Sequence, residues 1–149
     1  MTSRSRAIRG TTKSGGAAVR NATKRAKVTE ICLALPSAES AKTHGDHEIF
    51  RVRGKVFAYF LDDHHGDGIV SVCVKSELGE NVDRVRRDPE RYYLPDYIGP
   101  RGWFGLRLDR GRVDWREVAN VVERSYRLKA PKTLVAKLGT MRRDRVSSP

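Results

Sequence analysis

The chain has 149 residues, with 30 Lys and Arg against 18 Asp and Glu and a formal charge of +12 at pH 7. That length fits one ordinary domain with extensions, large enough to bury a core without disulfides or metal. No run approaches a membrane span and no apolar segment follows the basic N-terminus, so the expected protein is cytoplasmic, with no membrane partner and no secretory signal.

In chain order, residues 1–21 come first and carry +5 from Arg4, Arg6, Arg9, Lys13 and Arg20, with no acid. They are rich in Ser, Thr and Gly and nearly devoid of large apolar side chains, so they are expected to be a disordered basic arm. A domain over 22–138 follows, itself +5, and then a second disordered basic tail over 139–149, at +2. The first helix is expected to start with Thr23 as its N-cap. Val28, Ile31, Cys32 and Leu35 then share a face, and Pro36 stops it.

Ile49 to Val52 reads as a strand, turned at Gly54 into a hairpin partner from Lys55 to Leu61. Apolar side chains on both faces of that partner mark it as central. Asp62 to Gly68 is a polar loop, and Ile69 to Val74 a third, β-branched strand. Cys32 and Cys73 lie in apolar periodic segments without C-x-x-C spacing and read as reduced core residues.

Ser76 to Arg87 is expected to be a short helix with Leu78, Val82 and Val85 as its apolar stripe. Arg91 to Leu94 is a further strand, followed by a Pro/Gly turn over Pro95 to Gly102. In the strand Trp103 to Leu108, Phe104, Leu106 and Leu108 face one side while Trp103, Gly105 and Arg107 face the other. Asp114 caps a long helix, with Glu117 in the capping-box position. Trp115, Val118, Ala119, Val122 and Tyr126 line its inner face, and a last helix beginning at Pro131 offers Leu134, Val135 and Leu138. The order α-β-β-β-α-β-β-α-α describes an α+β domain, a mostly antiparallel sheet of about five strands flanked by helices.

Nine arginines between Arg84 and Arg116 stand against five acids, a net of +4, whereas residues 39–70 net −2. Arginine, with its planar fork, suits phosphate and base contacts. The candidate nucleic-acid contacts are Trp103 and Arg107 on one strand face with Arg101 at its entry, Lys75 at a strand-to-helix junction, and Arg84, Arg87 and Arg91 on and after the short helix. Each has a plainer alternative, with Trp103 packed in the core and the charges merely solvating a surface. Asp63, His65 and Asp67 imitate the start of an EF-hand loop, but Val74 stands where its bidentate Glu is required, so no metal site is assigned. No nucleophile elbow, triad spacing, dinucleotide fingerprint or other cofactor motif is present, so catalytic residues and cofactors are expected to be none.

Several separated pieces resemble the MmcQ/YjbR-like family across about residues 24–138. They are Leu33-Ala34-Leu35-Pro36, Phe50-Arg51-Val52-Arg53-Gly54-Lys55-Val56-Phe57-Ala58, Val72-Cys73-Val74-Lys75-Ser76-Glu77, Tyr97-Ile98-Gly99-Pro100-Arg101-Gly102-Trp103 and Ser125-Tyr126-Arg127. The resemblance implies a compact α+β, double-wing fold and DNA binding. The combined expectation is a small, monomeric, non-enzymatic protein that binds DNA, with RNA the other candidate partner, by phosphate contacts from the arm and the arginine-rich face. The alternative is a small-molecule or protein-interaction module whose basic tails only confer solubility.

Overall fold

In the computed structural model the backbone is described for residues 2–42 and 47–147, and side chains for 16–41 and 47–141. Its elements are α1 (Thr2–Leu33), β1 (Ala38–Lys42), β2 (Glu48–Val52), β3 (Lys55–Asp62), β4 (Val70–Lys75), α2 (Glu80–Arg87), β5 (Tyr92–Tyr93), β6 (Trp103–Arg107), α3 (Trp115–Lys129) and α4 (Lys132–Ser147). The strands form one six-stranded sheet in the order β1-β2-β3-β4-β6-β5, with every neighbouring pair antiparallel. The α+β class and the central place of β3 agree with the sequence expectation.

One face of the sheet is the core. Phe50, Ala58, Val74 and Phe104 lie in register across β2, β3, β4 and β6, and all are buried. Phe60, Val72 and Leu106 form the adjacent row. Val28 and Cys32 of α1, Val118, Val122 and Tyr126 of α3, and Leu134 and Leu138 of α4 belong to the same core. Phe57 meets Tyr126 edge to face at 5.4 Å. Burial of so many aromatic and branched side chains, each contributing about 1.5–3 kcal/mol, makes this layer the main source of stability.

The structure departs from the sequence expectation at three elements. β1 is a sixth strand; its Ala-Glu-Ser-Ala-Lys run has no apolar alternation, and the backbone ladder to β2 holds it at the sheet edge. α1 starts at Thr2, not at Thr23: Thr23 Oγ1 donates to the Val19 carbonyl at 3.0 Å, the back-bond of a threonine inside a helix. Residues 2–21 thus continue α1, and 139–147 continue α4, in backbone path. α2 begins at Glu80 rather than Ser76, and of its expected stripe only Val85 packs against the core. Leu78 and Val82 are exposed, while buried Asn81 donates to the carbonyls of Gly99 and Trp103 at 2.8 and 3.0 Å.

Candidate functional site

Two glycines fix how β6 meets its neighbours. Gly105 lies directly opposite Tyr93, whose ring lies over it; a Cβ at 105 would stand 2.2 Å from Tyr93 Cε1. The Tyr93 hydroxyl is thereby brought to Ser71 Oγ at 2.7 Å, and burial pushes that phenol far above its ordinary value. Gly102 has φ +101°, and a Cβ there would come within 2.7 Å of the Ser76 carbonyl and 3.0 Å of Lys75 Nζ. The backbone therefore approaches closely at Gly102, whose carbonyl accepts from Ser76 N at 2.8 Å. Lys75 Nζ donates to the carbonyl of Arg101.

Trp103 is only 6% exposed, so its ring is a wall rather than a free stacking surface. Tyr59 meets it at 5.3 Å, and Lys129 Nζ, from the end of α3, lies 5.8 Å from its ring centre. Arg107 does not join Arg101 in solvent. Its guanidinium forks onto Asp109 at 2.8 and 3.1 Å. That hydrogen bond leads the causes that raise the Arg107 pKa. The expected row of Arg101, Trp103 and Arg107 is not an exposed surface.

Four of the nine arginines from Arg84 to Arg116 are held by acids, while Arg86, Arg87, Arg112 and Arg116 are exposed without an ion pair among the described residues. Arg84 lies over the rings of Phe104 and Tyr92, at 4.9 and 5.3 Å, and pairs with Glu80 and Glu117 at 3.7 and 4.0 Å. Arg91 pairs with Glu117 and with Asp88. Arg110 pairs with Glu90 at 2.7 Å. Glu117 therefore serves these arginines, while Asp114 alone caps α3 by accepting from the amides of Arg116 and Glu117. Of the three residues expected on and after α2, only Arg87 is exposed without an ion pair among the described residues. Lys75 sits at a strand end followed by a turn, not at a helix N-terminus, because α2 starts at Glu80.

A different group of cations lies about Trp103, Tyr59 and the β2–β3 hairpin, with Arg51 and Arg101 acting on Tyr59, Lys129 over Trp103, and Arg53 beside Tyr126. Arg51, Arg53 and Lys55 sit on the β2–β3 hairpin and are exposed. Its two-residue loop, Arg53-Gly54, has φ of +51° and +79°, the signs that the type I′ turn requires. Arg101 is exposed on the 3-10 turn Gly99–Arg101, Lys75 ends β4, and Lys129 ends α3. None of these six forms an ion pair with an acid among the described residues. Burial and then the charges of Lys75 and Lys55 push the Lys129 ammonium below its ordinary value. Burial raises the Tyr59 phenol, with Cys73 adding, while Arg51 and Arg101 oppose. Tyr59 thus stands between the aromatic wall and two of the cations.

Sequence reasoning found Lys75 and Arg101 of this group but passed over Arg51, Arg53, Lys55 and Lys129. The signal was there in Arg-Val-Arg-Gly-Lys, three cations in five residues, read as a hairpin and as part of the family resemblance but not as a charged surface. Of the arm, Arg20 is exposed; the side chains of Arg4, Arg6, Arg9 and Lys13 lie outside the described residues.

The loop after β3 explains its own acids. Asp63 accepts from the amide of Gly68 at 2.7 Å and Asp67 from that of Ile69 at 2.9 Å, as turn-forming aspartates do. His47 Nε2 and His64 Nδ1 are 3.3 Å apart. Among the described residues no group of three or more His, Cys, Asp or Glu is placed to hold a metal ion. Both cysteines are buried and unpaired; burial pushes Cys73 up to about 11 and Cys32 higher still, so neither is a thiolate near neutral pH. No helix among the described residues is long and apolar enough to cross a membrane.

None of the curated proteins matches the chain. Among solved structures it is similar to a Deinococcus radiodurans protein with a DUF419 domain. The TM-score is 0.54 and the identity 17%, over 66% of this chain and 72% of that one, a likeness of fold alone. The family model described as YjbR matches residues 33–128. That range runs from the last residue of α1 through all six strands to the penultimate residue of α3, and takes in the hairpin cations, Lys75 and Arg101. All six strands and five of the six cations fall within that range, Lys129 lying just beyond it, and the chain belongs to the YjbR family.

Proposed function

We propose that the protein is a non-enzymatic nucleic-acid-binding protein whose folded domain meets phosphates through Arg51, Arg53, Lys55, Lys75, Arg101 and Lys129. The observation that carries this reading is the gathering of six cations, from the hairpin and three other elements, with no acid paired to any of them among the described residues. Like charges so placed repel one another. A polyanion that neutralises them gains that energy back and releases its own counterions. Arg4, Arg6, Arg9, Lys13 and Arg20 add sequence-independent attraction from the same chain.

DNA is the partner that the reading favours, and the binding is expected to be salt-steep. In a titration of full-length protein with duplex DNA at several salt concentrations, removal of residues 1–21 lowers the slope of log K against log salt by up to about 4 to 5. The domain that remains still binds. Salt-independent binding, or none, by the full-length chain contradicts the proposal.

A further inference from the structure

Beside the cations, on the sheet face away from the core, lies a groove of about 480 Å³. Tyr59, Tyr93 and Tyr97 line it together with apolar residues including Leu94 and Ile98. That volume is in the range of small-ligand sites. Its carboxylates are Asp67 and Asp96 and its imidazoles His64 and His65; no lysine or arginine lines it. A phosphate meets no lysine or arginine inside and two carboxylates that repel it. A flat aromatic group with N–H donors finds rings to stack on and carboxylates to accept from it.

Tyr97 is the least ordinary of these residues. It is 86% exposed and holds φ at +66°, where a bulky side chain is strained. Its large ring is held at the mouth of the groove by a backbone that no burial of the ring compensates. Tyr59 links the groove to the basic surface: it lines the one and feels the charges of Arg51 and Arg101 in the other. Phosphates outside and a ring inside are the two halves of a nucleotide.

The geometry points to a site for an unpaired nucleobase, belonging to a single strand whose backbone lies on Arg51, Lys75, Arg101 and Lys129. This rests on the nucleic-acid reading above and sharpens it, because a fully paired duplex has no base to offer the groove. Bases with an amino group on the pairing edge fit Asp67 and Asp96 better than thymine, which has none.

The test is fluorescence anisotropy on the full chain with labelled oligodeoxycytidine, oligothymidine of equal length, and a duplex of matched charge. Tyr97→Ala is expected to weaken oligodeoxycytidine binding about tenfold while leaving the duplex within about twofold, since stacking acts on exposed bases only. Tyr97→Phe, which keeps the ring, should restore binding, and thymidine should bind more weakly than deoxycytidine. Equal effects on strand and duplex, or no effect of Tyr97→Ala, overturn the groove proposal. If Lys75→Ala and Lys129→Ala weaken every oligonucleotide while Tyr97→Ala weakens none, the groove alone fails. If those lysine variants change nothing, the reading beneath it fails.

Discussion

Two basic regions of this molecule carry comparable numbers of cations and differ in what stands beside them. Arg84, Arg91, Arg107 and Arg110 each have a carboxylate at hand, from Glu80, Asp88, Glu90, Asp109 or Glu117. Arg51, Arg53, Lys55, Lys75, Arg101 and Lys129 have none among the described residues. A guanidinium already forked onto a carboxylate must lose that partner before it takes a phosphate, so density of arginine in a sequence is a poor guide to a polyanion surface. The paired set ties α2 and α3 to the segments flanking β5 and β6; the unpaired set has no such structural use among the described residues.

The largest expected effect comes from emptying the unpaired set. Lys75→Ala, Arg101→Ala and Lys129→Ala combined should weaken duplex binding roughly a hundredfold at physiological salt, as the loss of about three phosphate contacts predicts. A smaller but more pointed effect comes from freeing the paired set. Glu117→Gln leaves Arg84 and Arg91 short of their shared carboxylate and should cost about 1–2 kcal/mol in urea unfolding, because both Glu117 and Arg84 are largely shielded from water. The same variant should bind DNA with a salt slope steeper by about 1.

Lys129 offers a test through pH. Its folded value is lowered by burial and by Lys75 and Lys55, so below the ordinary lysine value of 10.5 the unfolded chain holds this proton more firmly than the folded one. Stability should therefore rise as pH approaches 10.5 from below, and Lys129→Met should flatten that rise by less than about 1 kcal/mol, the site being partly solvated. The smallest effect belongs to Arg107→Ala. With its charge committed to Asp109, its loss should change DNA affinity by less than about threefold.

The sequence made the core legible where periodicity and burial agree. Phe104, Leu106 and Leu108 alternate as expected and are all buried, and Asp114 caps α3 as read. β1 was illegible because Ala38 to Lys42 carries no apolar pattern; its place is dictated by the free edge of β2. The inner face of α2 was misread because polar Asn81, rather than an aliphatic stripe, meets the turn before β6. At the candidate site the missing information was tertiary. Trp103 is buried by Tyr59 and Lys129, far away in sequence, and Arg91 is neutralised by Glu117, 26 residues on. Neither can be read from local spacing.

The central claim is that Arg51, Arg53, Lys55, Lys75, Arg101 and Lys129, not the acid-paired arginines Arg84, Arg91, Arg107 and Arg110, face the polyanion. Its most direct test is the salt slope of duplex binding for two triple variants, Lys75→Ala/Arg101→Ala/Lys129→Ala and Arg91→Ala/Arg107→Ala/Arg110→Ala, side by side with the parent. The account predicts a slope lower by about 2 to 3 for the first and nearly unchanged for the second. A lower slope for the second with none for the first would contradict it.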